Sequence, residues 1–575
     1  MKTGWSAPRF PAGGTPDAHP LETLALRVLA GLTAAGALLW LTGQLSGRLT
    51  SGTWPPVRLS EIGSVVIEYP NHVGDPAQAW PARAQELVPG PLAFYGTFTA
   101  LVLPVLVAAV WFSLHGATRE GAAPGARWAR RRDLRSLRAH GHDSGRLTLG
   151  RVDGRLVAAE PRQSAIVIGP TQTGKTTGFA IPAILEWQGP VVATSVKTDL
   201  LRETLTARSS RRGAKTWVYD PTGSTGLPGA GWTPLMESLN WQGAQRVADW
   251  LVRAARPSSA TSDAADFWYG ATSKALAPIL LAAACSGGTM AQVVQWVDGQ
   301  EDEPVRFALE ANGEEEAVNA FEAISMWDER TRGSVYATAQ TVLIAYTDPG
   351  VLASAMSAEL RAERLLDGGC HTAYLCAPAH EQRRLQPLFA TLVQEIVGHA
   401  YDRSTETGKP LDPPLLLVLD ECANIAPLRE LATLASTGAG QGIQLVSVFQ
   451  DIAQINAVYG RDRAPTIVSN HRAKVILSGI ADPPTLEYLA RLLGDEEVRQ
   501  VSATSGTEGR HSTTESVAYR KLAPANVLRE MRPGKGILVY GHLPPTPIAL
   551  RPWFQERRLR RLATLGRRRP EAALS

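Results

Sequence analysis

Two kinds of hydrophobic pattern follow one another along the chain. Near the N-terminus, Leu24–Leu45 and Leu92–Leu114 are long apolar stretches, interrupted in the first by Arg27 and a few small polar residues. As helices rising about 1.5 Å per residue, each is long enough to cross about 30 Å of hydrocarbon. From about residue 150 the pattern changes to short apolar runs, each closed by a turn or a helix-start signal. They are Ala165–Ile168, Val191–Thr194, Trp217–Tyr219, Ala373–Cys376, Leu415–Leu419, Leu445–Val448, Val475–Leu477 and Ile537–Tyr540. Continuous runs of this length, separated by helical patterns, predict a mostly parallel sheet buried on both faces. Between about 235 and 365 helical spacing replaces the runs, as in Ala244–Ala255, Thr272–Ala284 and Tyr336–Ala345. This stretch predicts an all-α domain inserted into the α/β domain. The polar segment Ser502–Ser516 reads as a mobile loop.

The expected order is therefore a cytoplasmic tail (1–23), a transmembrane helix (24–45), a short extracytoplasmic segment (46–91), a second transmembrane helix (92–114) and a basic linker (115–149). A nucleotide-binding domain in two parts (150–235 and 366–555) then flanks the inserted all-α domain (236–365), and a basic tail (556–575) ends the chain. Charge sets the orientation. Arg127, Arg130, Arg131, Arg132, Arg135 and Arg138 follow the second apolar stretch with only Asp133 among them, whereas residues 46–91 mix both signs. The positive-inside rule puts the N-terminus and the bulk of the chain in the cytoplasm, as a multi-pass protein of the cell membrane. Trp40 and Trp111 sit near segment ends, where interfacial aromatics belong.

Composition adds limits. With 575 residues the chain can bury a large core, and a net charge of +4 is too small to argue for nucleic acid by itself. The four cysteines, Cys285, Cys370, Cys376 and Cys422, form no C-x-x-C pair, so they read as reduced thiols rather than metal ligands.

The candidate chemistry lies in two motifs. Gly169-Pro170-Thr171-Gln172-Thr173-Gly174-Lys175-Thr176, followed by Thr177, matches the phosphate-binding P-loop between an expected strand and an expected helix. Its glycines turn backbone N–H groups toward phosphates, Lys175 reaches the β- and γ-phosphates, and Thr176 offers a hydroxyl to Mg²⁺. The second motif is Leu415–Leu419 followed by Asp420 and Glu421, two acids at the end of a buried strand. Asp420 is expected to hold Mg²⁺, and Glu421 to orient and deprotonate the attacking water. Lys175 and Asp420 lie about 245 residues apart. A compact P-loop core needs far fewer, so the separation itself calls for an insertion. ATP and Mg²⁺ are thus the expected cofactors.

Five blocks in this order resemble the TraG/TraD group of conjugative type IV coupling proteins: GPTQTGKTT, VVATSVKTDL, LLLVLDECANI, GIQLVSVFQDIAQINAVYG and NHRAKVILSGIADPPTLEYLARLLG. The resemblance implies a RecA-like P-loop NTPase fold, carried on two membrane helices and assembled as a homohexamer. It also implies a motor that receives a relaxase–DNA complex with its relaxosome proteins and drives single-stranded DNA to a type IV secretion channel. Cargo recognition would fall to the inserted domain, whose removal (residues 240–360) is then expected to leave nucleotide binding largely intact and to abolish transfer. Gln450 falls where the family senses the γ-phosphate. Lys197 and Asp199 fall where a subunit contact near ATP is expected. Some relatives carry an arginine finger just before the glutamine strand. Here that turn, Ser436–Gln441, has no arginine, so either another arginine, such as Arg461, Arg463 or Arg472, supplies the charge across a subunit interface, or hydrolysis is slow without a partner.

Two other functions fit parts of the pattern. An FtsK-like translocase of double-stranded DNA would share anchor and motor, but it carries a C-terminal winged helix for which the sequence after 545 is too short. A receptor ATPase that recruits protein substrates to a secretion channel would also keep these motifs, although the intact Glu421 argues against a purely structural use of ATP.

Overall fold

The computed structural model describes residues 20–116, 125–139, 145–195, 198–257, 262–505 and 511–565. At 20–32, 59, 108–116, 499, 501–505, 511–515 and 565 it describes the backbone only. The chain divides into two units, 1–124 and 125–575.

In the first unit both apolar stretches are helices, Pro20–Ser51 and Pro91–Gly116. Among the described residues no helix is long and apolar enough to cross a membrane. The side chains at 24–32 and 108–114, which belong to the two expected spans, lie outside the described residues. Residues 52–90 fold back on the first helix. The Trp80 ring lies flush on Gly43, where a Cβ would meet it at 1.9 Å, and Val65, Ala84 and Phe94 close a small core around it.

The second unit has thirteen described strands, eleven of them in one sheet. In chain order the strands are β1 (Thr148–Val152), β2 (Arg155–Ala158), β3 (Ala165–Ile168), β4 (Val191–Ser195), β5 (Thr216–Tyr219), β6 (Thr372–Cys376), β7 (Leu415–Leu419), β8 (Ile443–Phe449), β9 (Ala473–Leu477), β10 (Asp495–Ser505), β11 (His511–Lys521), β12 (Lys535–Tyr540) and β13 (Leu543–Ala549). The sheet order is β2-β1-β13-β12-β9-β3-β8-β7-β4-β6-β5. From β9 to β5 every pair is parallel, and from β9 back to β2 every pair is antiparallel. Strands β3, β4, β6, β7, β8 and β9 are buried along their whole length, which is why they read as continuous apolar runs. All eight of the runs became strands. Ile537–Tyr540 is the exception in direction, since β12 runs antiparallel to β9.

Two segments differ from the sequence expectation. Residues 495–505 and 511–521, read partly as a mobile loop, pair one to one as the antiparallel strands β10 and β11, from Asp495↔Lys521 to Ser505↔His511. The pair forms its own two-stranded sheet, held by backbone pairing along its whole length. Its sequence lacks the alternation by which strands are recognised. Residues 125–139, part of the expected linker, lie against the body: Leu134 and Leu137 are buried beside β1 and β2, and the Ala129 amide donates to the Pro545 carbonyl at 2.8 Å.

The helical insertion leaves β5 and returns to β6, which is its parallel neighbour. Asn240 caps its first long helix, Trp241–Ala255, by accepting from the Gly243 amide at 2.8 Å. That helix does not stand apart from the nucleotide-binding body. Val247 and Leu251 share one core with Leu388 and Phe389 of the helix Gln382–Thr407 and with Leu417 of β7. Tyr219 of β5 meets Trp232 edge-on at 5.9 Å and Phe389 at 5.8 Å, locking the junction. Excising 240–360 would therefore strip a face of the nucleotide-binding core, and loss of nucleotide binding is the expected result.

The same junction contains a buried carboxyl. Glu395, 5% exposed, accepts from the Trp232 indole N–H at 2.9 Å, and burial pushes its pKa up to about 8. The folded pKa lies above the ordinary value of 4.5. Its contribution to stability is thus fully present below about 4.5 and is lost as pH rises toward about 8. At about 1.4 kcal/mol per pKa unit the effect amounts to a few kcal/mol. Glu395→Gln is expected to flatten the decline in thermal stability between pH 5 and 8 and to leave the variant more stable than wild type at pH 8. Melting curves of the two proteins across that range that run parallel would contradict the assignment.

Candidate nucleotide-binding site

Three loops leave the same edge of the parallel sheet. β3 and β8 are adjacent, with Ile168 opposite Phe449, so Gly169 and Gln450 emerge side by side; the Gly169 amide donates to the Phe449 carbonyl at 3.1 Å. β7 is the next strand and delivers Asp420 and Glu421. Ligand sites of open α/β sheets form beyond the carboxyl ends of such strands.

The P-loop runs from Gly169 to Thr176 through two left-handed residues, Gln172 (φ 64°) and Gly174 (φ 89°). Glycine adopts that conformation freely, whereas for Gln172 it costs on the order of 1 kcal/mol. Thr173 ties the loop across itself by donating to the Pro170 carbonyl at 2.8 Å. Lys175 is buried and donates to the carbonyls of Gly169 and Pro170, the latter at 2.7 Å. Thr171 and Gln172 are exposed at the rim.

Thr177 and Pro182 shape the helix that follows. Its first turn, Thr176–Ala180, is π-wound, and the α-helix Ile181–Glu186 continues it. Pro182 has no N–H, so the Gly178 carbonyl lacks an α-helical partner. The chain just after β13 supplies the missing donors: the Arg551 amide bonds Gly178 O and the Trp553 amide bonds Thr177 O, both at 3.1 Å.

The two motifs meet directly. Thr176 Oγ1 donates to Asp420 Oδ2 at 2.7 Å, joining residues 244 apart in sequence. The other carboxylate oxygen, Oδ1, is buried without a hydrogen-bond partner. Burial pushes the Asp420 pKa up to about 6, a sign of a carboxylate kept from water and short of positive charge. A hydroxyl, an orphaned carboxylate oxygen and a P-loop in one place fit a Mg²⁺–nucleotide site.

Glu421 takes the left-handed conformation, φ 54° and ψ 49°, and heads the short helix Cys422–Ile425. Strain of this kind persists where surrounding structure over-determines it, often at working sites. Asn424 Nδ2 donates to Glu421 Oε2 at 3.1 Å and so orients the carboxylate. Gln450 is anchored through its backbone N–H, which donates to Gln454 Oε1 at 2.9 Å.

The remaining sequence candidates scatter. Lys197 lies outside the described residues. Asp199 opens the helix Asp199–Ser209 and accepts from Arg202 at 3.2 Å, a local helix-start pair. Arg472 is pinned to Glu160 at 3.1 Å and lies 5.5 Å over the Tyr540 ring, on the antiparallel side of β9. Arg461 is exposed, and Arg463 opens into a cleft described below. Sequence reasoning missed Asn424, three residues after Glu421, and the Arg551–Trp553 segment, which no local signal marks.

Comparison with known proteins places this geometry. The chain is 26% identical over 401 residues to the conjugal transfer protein TraG of Agrobacterium fabrum, covering 66% of this chain and 59% of that protein. It is 27% identical over 410 residues to a conjugal transfer protein TraG of Escherichia coli, covering 65% and 62%. It thus spans about three fifths of the length of these curated relatives. Among solved structures, the plasmid coupling protein TrwB in complex with ADP and Mg²⁺ superposes with a TM-score of 0.57 at 20% identity, over 75% of this chain and 96% of that one, a likeness of fold. The model of the type IV secretory system conjugative DNA transfer family matches residues 127–566, and the chain belongs to that family.

Proposed function

We propose that this chain is a coupling ATPase of bacterial conjugation. ATP and Mg²⁺ bind at the P-loop, with Lys175 on the phosphates and Thr176 and Asp420 on the metal. Glu421 takes the proton of the attacking water, and Gln450 senses the γ-phosphate. The observation that carries the reading is the 2.7 Å pairing of Thr176 with Asp420 beside an orphaned carboxylate oxygen, in a chain of this family. Hydrolysis drives single-stranded DNA, delivered by a relaxase and its relaxosome, toward a type IV secretion channel. The two N-terminal helices anchor the chain in the cytoplasmic membrane, supported by the arginines at 127–138. A homohexamer places each ATP against a neighbouring copy, which supplies a second cation.

The test is Mg²⁺-dependent ATP hydrolysis by the full chain, measured over a range of protein concentrations with and without single-stranded DNA. The specific rate is expected to rise with protein concentration and again on adding DNA. A rate indifferent to both would remove the shared site and the DNA coupling together.

A further inference from the structure

A second charged site lies between the helical insertion and the nucleotide-binding body. It is a cleft of about 660 Å³, and five arginines from four separate segments line it. Arg253 and Arg256 end the helix Trp241–Ala255, and Arg383 begins the helix Gln382–Thr407. Arg429 follows the helix Cys422–Ile425, and Arg463 follows the helix Ile452–Tyr459. Only Asp266 and Asp462 oppose them in the lining.

Some of these charges are already in use. Arg256 pairs with Asp266 and lies 5.4 Å over the Tyr269 ring, and Arg253 pairs with Asp249 at 2.8 Å and Glu430 at 3.5 Å. Arg429 donates to the Arg253 carbonyl at 2.8 Å and to the Arg256 carbonyl at 2.7 Å, which fixes one wall. Arg383 and Arg463 are exposed and have no carboxylate partner among the described residues. The folded chain thus holds several guanidinium groups together against their mutual repulsion, an arrangement that suits a polyanion.

The cleft is also wired to the ATP site. The segment leaving Glu421 reaches it at Arg429, and the segment leaving Gln450 reaches it at Tyr459 and Arg463. Where the two segments cross, Tyr459 OH lies 3.7 Å from Cys422 Sγ, the residue after Glu421. Gln386, beside Arg383, donates to the Ala423 carbonyl at 3.2 Å. A shift of either segment with nucleotide state would move a wall of the cleft.

We propose that this cleft grips the phosphodiester backbone of single-stranded nucleic acid and reports its occupancy to Glu421 and Gln450. The proposal rests on the reading of the chain as a DNA-coupled ATPase. Free polyphosphate offers the same chemistry, and the experiment separates the two.

Binding of a fluorescent oligo(dT) to the full chain would be followed by anisotropy, for wild type, for the double variant Arg383→Glu/Arg463→Glu, and for Arg212→Glu. Arg212 is exposed and precedes β5, at the amino end of the parallel strands, whereas the segments from Glu421 and Gln450 to the cleft leave their carboxyl ends, so it controls for net charge. The double variant is expected to lose about tenfold or more in affinity, and its salt dependence to fall by about 0.7 in log–log slope for each lost contact. Arg212→Glu is expected to change affinity by less than about threefold. Far-UV circular dichroism and melting temperature, unchanged in all three, show that the fold is intact. A double variant that binds oligo(dT) like wild type, or that loses no more affinity than Arg212→Glu does, overturns the proposal. So does loss of tripolyphosphate binding without loss of oligo(dT) binding, which would assign the cleft to a free polyphosphate. A change in self-association alone would make it a protein contact and equally overturn it. ATPase that responds to oligo(dT) equally in the double variant removes the cleft but leaves the ATPase reading. Arginine-dependent DNA binding without any ATPase does the reverse.

Discussion

Glu421→Gln is expected to retain nucleotide and to stop turning it over. The glutamine amide matches the carboxylate in size and can still accept from Asn424 Nδ2, so the left-handed turn that presents residue 421 should persist. What it cannot do is take a proton from water. Loss of a positioned general base costs about 10²- to 10⁴-fold in rate. Lys175→Ala is expected to fail earlier, at binding, because the ammonium is the chain's own charge on the phosphates. It also empties a buried position at the centre of the P-loop. Phosphate release measured beside binding of a fluorescent ATP analogue separates the two: Glu421→Gln binds and does not hydrolyse, Lys175→Ala does neither. Wild-type turnover in Glu421→Gln would move the base elsewhere.

The second large effect is expected at Arg551, far from the chemistry in sequence. Its side chain is 3% exposed and sits between two carboxylates, with N–O distances of 2.8 Å to both Glu186 and Glu556. Burial works against its charge, but the two carboxylates outweigh burial and hold the guanidinium ionised. Arg151 joins Glu556 at 2.9 Å, and Thr148 donates to Glu186 at 2.8 Å. Glu186 is the last residue of the helix that begins at the P-loop. Arg551 therefore clamps the far end of that helix, while the backbone amides of Arg551 and Trp553 serve the carbonyls of its π turn. Arg551→Met would take the shared cation from near-buried Glu186 and leave Glu556 with Arg151, a loss of about 3–5 kcal/mol. Denaturant titration should show it as a lower midpoint at unchanged slope, together with weaker nucleotide binding as the helix loosens. A loss under about 1 kcal/mol would mean that Arg151 and water carry Glu186 and Glu556 well enough alone.

The positions of the two motifs were legible because each is local. A run such as Leu415–Leu419 is buried on both faces, so every residue in it is apolar and its end is marked by Asp420. A P-loop must turn within eight residues, which leaves glycine at fixed places. The same locality explains the failures. β13 carries Pro544, Pro545 and Pro547 and does not look like a strand. Its bonds to β1 are confined to Ala549, opposite Arg151 and beyond the prolines, so the missing N–H groups are tolerated there. The C-terminal arginines read as a tail. Yet Arg557–Leu565 is a helix whose Leu559 and Ala563 are buried in the core beside the P-loop helix, and two apolar residues one turn apart are too few to announce it.

By itself, then, the sequence determined the strands buried on both faces, the acids and glycines at their ends, and the long helical stretch between β5 and β6. Each follows from a constraint that acts within a few residues: burial, backbone conformation or helical period. Only the tertiary structure decided that Thr176 would meet Asp420 across 244 positions, and that Asn424 would hold the strained Glu421. It alone decided that Arg551 would close the P-loop helix from 365 residues beyond Glu186, and that five scattered arginines would face one cleft. These depend on which segments the sheet order brings together. A side chain whose partner lies hundreds of residues away leaves no periodic trace of that partner in its own neighbourhood.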